Sequence, residues 1–193
     1  MTMRDRLEKL RSVISRFRHD RSGIGAIEFA IIFPVLVMLY IGAFETTIGL
    51  SISKRATRAA SSIADLITQQ KAVTKSTLAT MPSVATAIFV PYTSNGLTMK
   101  ITGITIDGSS KATVLWSWAQ DGSAPYGKNS EVTDVPTEMK KASSFLVRTE
   151  LSIPYTLFLF APDFMPANIR TITISRSYFY RQRQGDNIAC SDC

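Results

Sequence analysis

The fold is decided by residues 21–34, which read RSGIGAIEFAIIFP. From Ile24 to Phe44 every side chain is apolar or small, except for the Glu28 carboxylate and the Tyr40 hydroxyl. An α-helix rises about 1.5 Å per residue, so this run would extend for about 30 Å, the thickness of the hydrocarbon core of a bilayer. The pattern therefore predicts a helix that crosses a membrane once, with its span at about residues 24–47.

Glu28 is unusual in such a helix, because an unpaired carboxylate near hydrocarbon costs on the order of a few kcal/mol. Cleavage between Gly23 and Ile24 would create an amine one helical turn before Glu28, on the same face of the helix. The two opposite charges could then pair within one subunit or between subunits. We therefore expect Gly23–Ile24 to be a processing junction, and an ordinary signal anchor with one stray polar residue is the alternative.

The residues around this junction resemble the prepilin-type leader of TadE/TadG-like pseudopilins, the minor pilins of tight-adherence (Flp-type) type IV pilus systems. The resemblance implies that a membrane prepilin peptidase cuts after Gly23, which leaves Glu28 as the fifth mature residue and Phe29 as the sixth. It also implies that Glu28 and Phe29 serve in assembly and in recognition by the peptidase. Cleavage after Gly25 would place Glu28 third and break this spacing. The tight motif covers about the first quarter of the chain. Its Glu-Phe pair and the large C-terminal portion indicate the minor-pilin branch, since major pilins of these systems are very short.

The basic charge is concentrated before the span. Residues 1–23 carry seven basic and three acidic side chains, so they hold +4 of the formal net charge of +7. A basic excess beside a span follows the positive-inside rule, which predicts a cytoplasmic leader and a C-terminal domain in the periplasm. The leader could also contact inner-membrane lipid. The charge therefore does not call for a nucleic-acid partner.

The span is predicted to continue as one long helix over residues 24–75, with a periplasmic head at 76–193. Small and apolar residues recur three or four apart beyond the span. Residues 83–90 fit either a helix or a strand; Pro82 would interrupt a helix, and the family resemblance favours a helix that ends before Pro91. The small and apolar residues that recur beyond the span are Ala56, Ala59, Ala60, Ile63, Leu66, Ile67 and Val73.

Alternation with a period of two begins after Asn95-Gly96 and predicts strands. The first runs from Leu97 to Ile106, with a bulge at Gly103 that changes its phase. The second, from Lys111 to Trp118, would form a hairpin with it. The tryptophan pair on this strand is either core packing, which is the commoner case, or a sugar- or peptide-binding platform. We expect Ala112, Val114, Trp116 and Trp118 to share one face.

Two more strands are expected, at residues 145–153 and 172–180, with Arg176 as a polar exception on the inward face of the second. The apolar connection 155–162 is too short to span a bilayer, so it either caps the sheet or forms a contact patch. The polar stretch 120–141 is either a solvated connection or a partner-reading loop. Together these features predict an α+β protein, in which a long transmembrane helix precedes a pilin-like head with an antiparallel sheet packed on the helix.

The two cysteines, Cys190 and Cys193, lie at the end of the chain, in the part assigned to an oxidising compartment. We expect them to form a disulfide, either within one chain or between two. They do not indicate a metal site, because structural zinc takes four ligands and the one histidine, His19, lies in the leader. A thiol oxidoreductase is a weaker alternative, since thioredoxin-like sites open a helix after a strand.

The remaining acidic residues are scattered, several beside turns, and the exported part has no histidine. No nucleophile elbow or phosphate-binding glycine loop occurs either. We therefore expect no enzyme activity and no cofactor. The predicted function is that of a non-enzymatic minor pilin with three kinds of partner: other pilins and pseudopilins, the prepilin peptidase, and inner-membrane lipid. A surface or adhesion partner is possible but not identified, and an unprocessed single-span periplasmic binding or scaffold protein is the main rival.

Overall fold

The computed structural model describes residue 15 and residues 23–157, 171–183 and 185–193. Most of the predicted leader and most of the apolar connection 155–162 therefore lie outside the described residues. The chain divides into two compact units, the first ending at Phe44 and the second comprising Glu45–Cys193. The fold is α+β, as the sequence predicts.

Helix α1, Ile24–Thr68, is the dominant element and confirms the long apolar helix. It continues through Pro34, which lacks an N–H and so removes one hydrogen bond from the helix. In the second unit the helix buries a stripe of small and β-branched residues at helical spacing. This stripe consists of Ile52, Ala56, Ala59, Ala60, Ile63, Ala64 and Ile67.

Helix α1 ends at Thr68, earlier than the predicted boundary at residue 75. Ala72–Val73 instead form a short strand, β1, that pairs in parallel with β6, Ala189–Cys190. Val73 is buried, so the prediction that it faces the core is confirmed. Its partner is the C-terminal tail, which spacing along the helix could not reveal.

The stretch that fitted either a helix or a strand is helical. Helix α2 spans Lys75–Leu78 and α3 spans Met81–Phe89, so the helix ends before Pro91 as expected. Pro82 lies in the first turn of α3. A proline is tolerated there because N–H groups in the first turn have no partner within the helix. Pro82 therefore opens this helix rather than interrupting it.

The sheet contains four strands: β2, Thr98–Ile106; β3, Ala112–Ala119; β4, Ser144–Thr156; and β5, Thr171–Arg181. Their order in the sheet is β3-β2-β4-β5, and each neighbouring pair is antiparallel. A 3-10 turn, Thr137–Met139, lies in the connection between β3 and β4. Arg176 is paired opposite Leu151 on the face that carries Ile174, which is the predicted polar exception.

The bulge is present, but its extra residue is in β3 rather than β2. Gly103 lies opposite Trp116 and Ile104 lies opposite Val114, so Leu115 is the additional residue. Strand β2 therefore alternates without interruption, and Ile104 lies on the face opposite that of Met99 and Ile101. The expectation that Ala112 and Val114 share a face with the two tryptophans is wrong.

Two apolar clusters result, one on each face of the sheet. The first joins α1, α3 and the sheet, and it includes Trp116, Trp118, Phe145, Val147 and Leu151. The second lies under the connection between β3 and β4. Val132 and Val135 of that connection are buried in it, so this polar stretch is a packed cover of the sheet. The second cluster consists of Ile104, Ile106, Ala112, Val114, Val132, Val135 and Leu146.

Candidate functional site

The predicted processing junction lies where α1 begins. The Gly23 carbonyl accepts hydrogen bonds from the N–H groups of Ala26 and Ile27, both at 3.1 Å. Ile24 is 47% exposed, and a Cβ added at Gly23 would meet nothing within 4 Å. The Gly23–Ile24 peptide bond is therefore at an uncrowded helix start. Cleavage at this bond remains a prediction.

Glu28 and Phe29 lie one turn further along, both exposed in the first unit. Glu28 follows Ile24 by four residues and so shares its face of the helix. The Phe29 ring lies 5.4 Å from that of Phe33, centroid to centroid. No residue between Ile24 and Phe44 is buried. This surface is suited to contact with lipid or with another apolar helix.

Helix α1 is the one helix within the described ranges that is long and apolar enough to cross a membrane. Its apolar part lies near the N-terminus and is exposed within the part of the chain that the structure describes. This arrangement is that of a single-pass membrane anchor.

A buried carboxylate just after the apolar run was missed by the sequence analysis. Glu45 is only 4% exposed, and the Tyr155 hydroxyl donates a hydrogen bond of 2.5 Å to it. Burial, followed by this bond, raises the pKa of Tyr155, so the phenol stays protonated and remains a donor. The pair links α1 to β4. The sequence does indicate that Glu45 contacts a distant residue, because no basic residue lies three or four positions away to pair with it along the helix.

The C-terminal tail is fastened to the head by several contacts. A disulfide joins Cys190 to Cys193 within the chain. The Asp192 carboxylate between them accepts hydrogen bonds from the Lys75 N–H at 2.9 and 3.1 Å, and the Trp116 indole N–H donates to the Ile188 carbonyl at 2.7 Å. Cys190 lies in strand β6 and Cys193 follows it, and this pair does not open a helix, unlike a thioredoxin-like pair. Sequence reasoning missed Asp192, whose partner lies 117 residues away.

Cys190, Asp192 and Cys193 also lie close enough together to suggest a metal site. The two sulfurs are bonded to each other, however, and zinc needs thiolates. This group therefore does not form a metal centre in its oxidised form.

We expect both cysteines to be oxidised in the mature protein. Thiol labelling of acid-trapped, denatured protein should find no free thiol, and a non-reducing gel should show a monomer. Replacing both with serine should lower the free energy of unfolding by about 2 kcal/mol, the chain-entropy value for so short a loop. Free thiols would contradict oxidation, and a disulfide-linked dimer would contradict the intrachain bond.

A charged cluster lies on the sheet face that points away from α1. Arg148 is only 5% exposed; its Nη1 donates to both carboxylate oxygens of Asp134 at 2.8 and 2.9 Å, and its Nε lies 3.3 Å from Glu150. Its guanidinium also lies 4.6 Å from the centre of the Tyr126 ring. Burial and then the hydrogen bond to Glu150 raise the pKa of Tyr126. Each charge here has an opposite partner, so the cluster holds the connection between β3 and β4 against the sheet.

The tryptophan pair belongs to the core. Trp116 and Trp118 are both buried in the cluster that includes α1. They therefore do not form an exposed platform for a sugar or a peptide.

Comparison with known protein families gives a match in the region of α1. Residues 23–65 match the family model described as TadE-like protein. The match begins at Gly23 and ends within α1, so it covers none of the sheet. Comparisons with the curated proteins and with the solved structures gave no significant match. TadE-like proteins are structural proteins associated with Tad pili, not enzymes. The resemblance at the Gly23–Ile24 junction is thereby confirmed: residues 23–65 of this chain are similar to the TadE-like family.

Proposed function

We propose that this chain is a minor pilin, or pseudopilin, of a tight-adherence pilus. A prepilin peptidase cuts it between Gly23 and Ile24, and α1 holds it in the bacterial inner membrane. The leader is cytoplasmic, and the head lies in the periplasm. The observation that carries this proposal is that the TadE-like match starts at Gly23, where α1 begins.

The first unit supplies the surface for assembly. Its large apolar side chains are exposed from Ile24 onward, and an apolar helix in a bilayer packs well against another helix. Cleavage would place a new amine at Ile24, four residues before Glu28. Pairing of that amine with a Glu28 carboxylate would remove the cost of a lone charge in the apolar layer when subunits dock.

The rival, an unprocessed scaffold with a single span, predicts the same helix and the same head. It differs in what surrounds the apolar surface, which would be lipid rather than other pilins. A contact assay on that surface therefore separates the two functions.

Phe33 is a suitable position for this assay, because it is 51% exposed and lies outside the junction. A photoreactive amino acid at Phe33, in the full chain in its native host, should form light-dependent adducts with other pilins. The same group at Lys128, an exposed residue of the head, serves as the control. Adducts at Phe33 that contain lipid alone would contradict the proposal and favour the scaffold.

A further inference from the structure

The four-stranded sheet has two edges, and the connection between β3 and β4 covers one of them. The Val114 N–H donates to the Ser130 carbonyl at 3.0 Å, and the Val114 carbonyl accepts from the Asn129 N–H at 2.8 Å. The Ala112 carbonyl likewise accepts from the Val132 N–H at 3.0 Å. These backbone groups on the outer side of β3 therefore have partners within the chain. A sheet edge without such partners can pair with a strand of another chain.

The opposite edge, the outer side of β5, is open. The Gln182 N–H donates to the Phe145 carbonyl at 3.1 Å, and these residues are opposite each other when the register of β5 with β4 is continued by one residue. Alternate residues of an antiparallel strand bond to the same neighbour. Even-numbered residues of β5 therefore bond to β4, and odd-numbered residues direct their N–H and C=O groups away from it. Among the described residues, no backbone group pairs with those of Thr173, Ser175, Ser177 and Phe179.

Strand β5 lacks most of the features that keep edge strands from pairing, which are shortness, prolines, bulges and charges. It has 11 residues and contains no proline or glycine, and its pairing with β4 continues without a bulge. Its apolar side chains are uncovered in part, since Ile172 is 51% exposed and Tyr178 is 37% exposed. The exception is a charge in the middle of the strand, Arg176.

Arg176 is held at this edge by two hydrogen bonds. Its Nη1 donates to the Ser175 carbonyl at 2.9 Å, and its Nη2 donates to the Ser53 hydroxyl of α1 at 2.5 Å. No carboxylate oxygen of the described residues lies within 4 Å of its guanidinium. A guanidinium has five N–H donors in a rigid fork, so donors remain for a carboxylate. Arg176 would therefore reject a strand without an acid opposite it and accept a strand that has one.

The charge of this segment disfavours a second copy of β5 as the partner. Residues 171–183 contain Arg176, Arg181 and Arg183 and no acidic residue. Arg183 is compensated by Asp65, at 2.6 Å, but Arg176 has no such partner in the described part of the chain. Two copies side by side would bring like charges together, which destabilises a pair of strands. The complementary strand is one that carries a carboxylate.

We propose that the outer edge of β5 binds an extended, acidic segment of a partner protein as a fifth strand of the sheet. The backbone of the partner bonds to the outward N–H and C=O groups of Ser175 and Ser177. Its carboxylate lies opposite Arg176, at a position without backbone hydrogen bonds, where paired side chains come closest. Apolar residues on either side of the carboxylate cover Ile174 and Tyr178. Such strand addition takes its affinity from the backbone and its specificity from alternate side chains.

The test follows hydrogen–deuterium exchange of single backbone amides in the full chain in detergent. Without a ligand, the amides of Ser175 and Ser177 should exchange quickly, and those of Arg176 and Tyr178, which bond to β4, should exchange slowly. The probe is a short synthetic peptide in which threonine alternates with valine and a glutamate replaces the central valine. At about ten times its dissociation constant, this peptide should slow exchange at Ser175 and Ser177 about tenfold.

Charge reversal shows whether Arg176 sets the specificity. A peptide with lysine in place of the glutamate should bind about fivefold more weakly, because like charges opposite each other destabilise a strand pair. Arg176→Glu should invert this preference, whereas Lys128→Glu makes the same change of charge at an exposed head residue and should keep it. An unchanged preference in the Arg176→Glu variant would overturn the proposal.

Exchange without the peptide tests the other possible occupants of the edge. Slow exchange at Ser175 and Ser177 that depends on protein concentration would assign the edge to a second copy. Slow exchange at every concentration would assign it to another part of the same chain. Either result would overturn the proposal, as would a glutamate peptide that fails to slow these amides. The inference rests on the sheet and needs no peptidase or partner pilin, so its failure would leave the proposed function untouched.

Discussion

Replacing Glu28 with glutamine is expected to reduce co-purification of partner pilins by more than about tenfold at matched membrane levels. The substitution keeps the size and hydrogen-bonding capacity of the side chain but removes the charge that would pair with the amine at Ile24. Removing one partner of a buried charge pair costs an interface about 2–5 kcal/mol, which sets this magnitude. Insertion should continue, and should if anything improve, because the isolated helix then carries no charge in the apolar layer.

The matched control is Glu138→Gln, which makes the same chemical change at an exposed position of the head. Processing should be intact in both variants, since neither touches the leader or Gly23. Equal recovery of partner pilins with wild-type protein and with the Glu28→Gln variant would mean that Glu28 is not an assembly contact. The signal-anchor interpretation would then gain support.

Gly103→Ala is expected to destabilise the head by about 1–3 kcal/mol, the usual cost of forcing extra volume into a packed core. A Cβ at Gly103 would lie 2.5 Å from two atoms of the Trp116 ring and 2.8 Å from the Phe145 ring. Trp116 cannot easily move away, because its indole N–H is bonded to the Ile188 carbonyl of the C-terminal tail. Thermal unfolding of the full chain in detergent, followed by tryptophan fluorescence, measures this directly, since both tryptophans of the chain lie in this core.

Gly108→Ala is the control for this substitution. Gly108 follows the same strand, but a Cβ there would meet nothing within 4 Å. Its effect should stay within about 0.5 kcal/mol, as for most surface changes. If the two variants unfolded at the same midpoint, the close packing of Trp116 on Gly103 would be refuted.

The long helix and the four strands could be predicted because each has a strong local signal. The apolar run sets the start of α1, and residues alternating from Phe145 to Ile153 follow one face of β4. Local pattern could not decide which strand carries the bulge. An extra residue in either strand produces the same change of phase between neighbours, and only the pairing of Gly103 with Trp116 assigns it to β3.

The contacts that the sequence analysis missed join residues far apart in the chain. Glu45 and Tyr155 are 110 positions apart, and Asp192 and Lys75 are 117 positions apart. The sequence shows that both acidic residues need hydrogen-bond donors, but it does not show which distant residue supplies one. Arg55 likewise lies 33 and 35 positions from Ile88 and Val90, whose carbonyls it binds, so its contact with the end of α3 had no local signal in the sequence.

The most direct test of the central claim is the intact mass of the protein extracted from membranes of a host that has the prepilin peptidase. A processed pilin predicts a chain that begins at Ile24, and the same host without the peptidase should yield the chain from Met1. A chain that still begins at Met1 in the presence of the peptidase, or one that begins at Ala26, would contradict the account.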